Sequence, residues 1–210
     1  LEYPNNKYSE DAMLMGAEMA YTAKNYEKAL TIYKQLKDKA VSMERRQLAK
    51  TGMLRSAHML GNGEEIILAA TDLLADTKLA PELSNEAHYY RAKAYLDAGK
   101  TEAAMEDLMV LAKDTRNVYG AEAKYKVAQI YFDGGQTDKA EQEVLNYIEV
   151  STPHTYWLAR SFVLLADVYM KLGRNLDAKQ YLLSLKQNYQ ADDDIAGMIE
   201  SRLEKLKIEN

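Results

Sequence analysis

Side chains able to do chemistry are few and scattered along this chain. His58, His88 and His154 are the only histidines, and there is no Cys. A zinc site needs three or four His, Cys or carboxylate ligands converging on the ion. None of the three histidines has a second His or a Cys at metal-ligand spacing. Each is expected to pack or to lie on a surface. No Ser sits in a G-x-S-x-G turn, so nucleophilic catalysis has no visible seat. Gly61-Asn62-Gly63 begins like a dinucleotide fingerprint, but Ile66 replaces the third Gly and the preceding residues are helical in pattern. Asp133-Gly134-Gly135-Gln136-Thr137-Asp138 shares only composition with a calcium loop, lacking its acid spacing and closing Glu. Asp192-Asp193-Asp194 stands before an apolar-periodic stretch, where carboxylates cap backbone N–H groups and complement the helix dipole. No catalytic residue, cofactor or metal is expected.

The composition is that of an all-α protein. Hydrophobic residues make up 47% and charged residues 28%, with three Pro and ten Gly, which leaves little room for long irregular loops. Tyr is the main aromatic, at 16 against two Phe and one Trp. A net charge of −5 argues against nucleic acid or an anionic membrane as the main partner. No apolar run approaches the roughly 20 residues that span a bilayer, so no membrane insertion by this segment is expected. The absence of Cys leaves the redox compartment open. Ten Met include an early cluster, Met13, Met15, Met19, Met53 and Met59. Most are expected in the core, although Met also suits adaptable binding surfaces.

The elements that must position any site are repeats. MAYTAKNYEKALTIY (19–33), AYLDAGKTEAAMEDL (94–108), IYFDGGQTDKAEQEV (130–144) and VYMKLGRNLDAKQYL (168–182) share one pattern. Each carries a turn residue (Lys24, Gly99, Gly135, Gly173) with an Ala five positions later (Ala29, Ala104, Ala140, Ala178). A weaker copy places Gly61 at the turn and Ile66 in the Ala slot. Twelve residues before those alanines stand Ala17, Ala92, Ala128 and Ala166, with Leu54 in the weak copy. Two antiparallel helices cross closely only where both lack bulk, and Gly at the turn takes the left-handed conformation without strain. Thr101, Thr137 and Asn175 are placed to cap the helices that follow. The pattern predicts helices over 8–23, 25–39, 42–60, 63–77, 83–98, 101–114, 118–133, 137–151, 155–172 and 175–189. In the tail, Ile195, Ile199, Leu203 and Leu206 form the single apolar stripe expected of a capping helix over 192–208.

A small residue, a Tyr three later (Tyr95, Tyr131, Tyr169), a Gly four after that and an Ala five further on resemble the tetratricopeptide repeat. The usual Trp is replaced by Met13, His88, Lys124 and Phe162, and successive turns lie 36–38 residues apart, against about 34 in the family. The longer period resembles a subset of bacterial cell-envelope proteins, among them the periplasmic partner of the Tol–Pal system and the outer-membrane assembly lipoprotein. That resemblance alone implies a periplasmic or outer-membrane-associated home. The fold class expected is all-α, an α-α superhelix of about five hairpins plus a C-terminal cap. The repeats fall at 8–40, 41–79 (degenerate), 82–116, 117–152 and 154–190. Residues 1–7 are expected to be the stub of an upstream repeat, with Pro4 ending its helix and Ser9 or Asn6 capping the next. This would leave an apolar face around Met13, Met15 and Met19, open to self-association.

The resemblance also implies that first helices line a concave groove. Its partner-binding positions carried onto this sequence include Glu18, Tyr21, Arg55 and His58, then Tyr89, Lys93 and Asp97. They continue with Tyr125, Gln129, Phe132, Asp133 and Asp167. Tyr89 and Tyr125 hold equivalent places in adjacent repeats; they either form an aromatic binding strip with Phe132 or pack between repeats. The slots that form a basic, asparagine-rich carboxylate clamp in some relatives here carry no Asn and include the acids Glu18 and Asp167, so such a clamp is not expected. The function expected is a non-catalytic scaffold, part of a longer chain, that holds an unidentified peptide or protein partner. The alternatives are a structural spacer and an accessory domain of a larger enzyme.

Overall fold

A computed structural model describes residues 7–208. Among them lie eleven α-helices and no strand. The expected stub at 1–7 lies outside the described residues except for Lys7, as does Asn6. The chain divides into two compact units, 1–107 and 108–210.

The first unit holds α1 (Lys7–Thr22), α2 (Tyr26–Lys39), α3 (Met43–Met59), α4 (Gly63–Leu74), α5 (Pro81–Asp97) and the start of α6 (Thr101–Leu111). Along α1 to α5 each helix packs on the next, and α3 also touches both α1 and α5. The second unit holds the end of α6, α7 (Val118–Asp133), α8 (Thr137–Glu149), α9 (Thr155–Lys171), α10 (Asn175–Asn188) and α11 (Ile195–Ile208). Here α9 meets α7 and α11 as well as its sequence neighbours. Contact with the next helix and the next but one is what stacked hairpins produce.

The hairpins close where the residue pairs predict. Ala17, Ala29, Ala92, Ala104, Ala128, Ala140, Ala166 and Ala178 are all buried, as are Leu54 and Ile66 in the degenerate copy. All five turn residues have left-handed backbone, including the non-glycine Lys24 at φ 60°. Ile195, Ile199, Leu203 and Leu206 are buried, so the stripe of α11 covers α9 and α10. On α1, Met15 and Met19 are exposed and Met13 is half-buried.

Capping differs from the sequence expectation. Thr101, Thr137 and Asn175 are the first residues of their helices rather than caps, and Ser9 lies inside α1. Side-chain caps come from Asn25, Ser42, Asn62 and Asn117, each accepting from the N–H three residues on. Among the acids, Asp193 accepts from the Ile195 N–H at 3.0 Å, and α11 starts at Ile195 rather than 192. Helix α5 starts two residues early because Pro81 fits the first helical turn, where its missing N–H has no partner to lose.

Candidate functional site

In the first unit, α1 carries Glu18 and Tyr21 and α3 carries Arg55. These three line one recess of about 230 Å³ together with Leu14, Leu48, Thr51, Gly52 and Tyr33. Tyr33 belongs to α2, the second helix of its hairpin, and reaches this recess over Gly52. A Cβ at residue 52 would overlap the Tyr33 ring. The ring is buried, and burial followed by the nearby Glu18 carboxylate pushes its hydroxyl pKa up. Arg55 donates to Glu86 from Nε and Nη2, both at 2.8 Å, and this fork raises the Arg55 pKa against the cost of burial. Arg55 and Glu86 thereby join α3 to α5.

His58, Lys93 and Asp97 line a second cavity of about 710 Å³, with Tyr90, Glu64 and Lys100 among its other walls. His58 stacks on Tyr90, with ring centroids 4.0 Å apart and planes 14° from parallel. Burial and then the Lys93 ammonium lower the His58 pKa, so the ring is neutral at neutral pH. Tyr89 lies beside this cavity with the Lys93 ammonium 5.6 Å from its ring centre.

In the second unit the candidate side chains are engaged with one another. The Tyr125 hydroxyl donates to Gln129 Oε1 and Gln129 Nε2 donates to Asp133 Oδ1, each at 2.8 Å. Tyr125 itself is 6% exposed, 5.7 Å from the Trp157 ring and beneath the Arg160 guanidinium at 5.1 Å. Asp167 receives a fork from Arg202 of α11, and Phe132 faces the Lys171 ammonium. Tyr89 and Tyr125 thus belong to different units, and Tyr125 is packed.

Sequence reasoning missed Tyr33, Gly52, Tyr90 and a clasp around Asp107. That carboxylate is 2% exposed and takes Arg91 Nε and Nη2 at 2.8 and 2.7 Å and His88 Nδ1 at 2.7 Å. Arg91 Nη1 also donates to Thr71 Oγ1. Burial alone would raise the Asp107 pKa, but Arg91 and His88 outweigh it and hold it low. A His–Asp pair can orient a catalytic base; here Arg91 occupies both carboxylate oxygens, and the cluster ties α4, α5 and α6. A lone Gly inside a helical pattern was the available signal for Gly52.

The helices define an all-α fold of helical hairpins whose candidate site is a pair of recesses in the first unit, one lined by α1, α2 and α3 and one by α3, α4, α5 and their turns. The family model of the tetratricopeptide repeat matches residues 159–187, which lie in α9 and α10. The crystal structure of MamA protein is similar with a TM-score of 0.65 at 17% identity, over 85% of this chain and 90% of that one. The nearly identical TPR-like repeats of a kinesin-light-chain-type protein from Podosopora anserina are similar with a TM-score of 0.56 at 18% identity, over 84% and 92% of the two chains. At these identities the likeness shows the fold. No curated protein matches. The family model thus identifies one tetratricopeptide repeat in α9 and α10, and the solved structures show the same kind of helical-repeat fold.

Proposed function

We propose that this chain is a non-catalytic scaffold that holds a segment of a protein partner on the first unit, across α1, α3 and α5. One observation carries the reading. Six candidate positions, Glu18, Tyr21, Arg55, His58, Lys93 and Asp97, line two recesses of that unit. Several of their counterparts in the second unit are taken up by the chain's own side chains. Aromatic walls beside polar groups are the composition that binding hot spots favour. The 36–38-residue period is the feature that supports extending this reading to the long-period tetratricopeptide proteins of the bacterial cell envelope.

Affinity capture from native extract tests the site. The intact chain is expected to retain a discrete partner that the triple variant E18A/H58A/K93A loses, with the two melting temperatures close. All three residues are half-buried or exposed, so their truncation leaves the core whole. Capture that survives the triple variant, or an intact chain that retains nothing, contradicts the proposal.

A further inference from the structure

We infer that the recess between α1 and α3 accepts a lysine side chain of the bound segment. The inference rests on the reading of the first unit as a binding surface and names the chemistry of one of its subsites. The recess holds about 230 Å³, below the roughly 300 Å³ at which small-molecule pockets begin. It suits one side chain.

The recess is built into the fold. Gly52 supplies no side chain, and this lets the Tyr33 ring pass from α2 toward α1 and α3. Tyr33 is 6% exposed, and its hydroxyl has no hydrogen-bond partner among the described residues. With its pKa raised, the phenol remains neutral and can accept as well as donate.

The charges select the sign of the ligand. The one cation in the wall, Arg55, is already held by the Glu86 fork. Glu18 makes no ion pair among the described residues, so its carboxylate is the uncompensated charge. The hydrogen-bonding groups select further. Thr51 Oγ1 spends its proton on the Gln47 carbonyl at 2.9 Å and is left as an acceptor. Glu18 carboxylate, Thr51 hydroxyl and Tyr33 hydroxyl make three acceptors. An ammonium is three donors with no acceptor. Leu14, Leu48 and the Tyr21 ring give the four-carbon stem an apolar wall, and an aromatic face attracts the cationic head. A carboxylate ligand would meet Glu18 and find no free cation.

The test is selection of a displayed random-peptide library on the intact chain, followed by a double-mutant cycle on a selected peptide. Selected peptides should share a lysine. Its replacement by Ala should weaken binding about tenfold on the intact chain, as expected for loss of one charge-assisted contact. The same replacement should cost less than about twofold on E18Q and on Y33F if the contact is already gone. Glu18 is exposed and the Tyr33 hydroxyl unpartnered, so both variants are expected to fold. Peptides that bind without a lysine, that carry arginine in its place, or whose Lys→Ala cost is the same on E18Q overturn the lysine subsite and leave the binding surface standing. A library that yields no binder overturns both.

Discussion

Tyr33 reaches the recess between α1 and α3 because residue 52 has no side chain. Gly52 therefore does two opposed things. It weakens α3 by about 1 kcal/mol relative to Ala, and it makes room for a ring that would otherwise be displaced. Overpacking of this kind costs about 1–3 kcal/mol, so the second effect should win. G52A is expected to lower the melting temperature by a few degrees, and Y33L in the same chain should recover part of the loss. A G52A protein as stable as the parent would show that the Tyr33 ring can move freely. The sequence displayed Gly52 as a lone glycine in a helical pattern, but nothing marked Tyr33, nineteen positions earlier on another helix, as its partner.

At the scale of elements, the hairpins were legible and the joints between them were not. The Ala pairs and turn residues marked four hairpins because close helix approach has a strict steric requirement, and the degenerate copy was found by its Gly61 turn alone. Caps were misassigned at Thr101, Thr137 and Asn175 because the capping place is the residue directly after the left-handed turn, held by Asn25 and Asn62 in the first two hairpins and by Gln136 and Arg174 in the last two, so the helix starts one residue sooner. The Asp107 clasp was invisible because its members are 16 and 19 residues from the aspartate and on different helices. Removing that carboxylate strands Arg91, which is itself largely buried. D107N is expected to cost about 3 kcal/mol in a urea titration at neutral pH, in the range for breaking a buried pair. The folded pKa of Asp107 lies below the unfolded 3.8. Its contribution is thus fully present above 3.8 and lost as pH falls through the lower folded value. The variant should therefore lose less stability than the parent over that acid range. Equal acid sensitivity of the two proteins would contradict the clasp.

At the scale of the molecule, the repeats supply many equivalent positions and the structure makes them unequal. The period told which helices would be neighbours. It did not tell which side chains would be consumed by neighbours 31 or 35 residues away, as Arg55 is by Glu86 and Asp167 by Arg202. In the proposed reading the partner meets the first unit, around the recess residues Glu18, Tyr21, His58 and Lys93. Hydrogen–deuterium exchange of the whole chain, with and without a captured partner or selected peptide, tests this most directly. Binding is predicted to slow exchange in α1, α3 and α5 and to leave α7 and α9 unchanged. Protection confined to α7 and α9 would contradict the account.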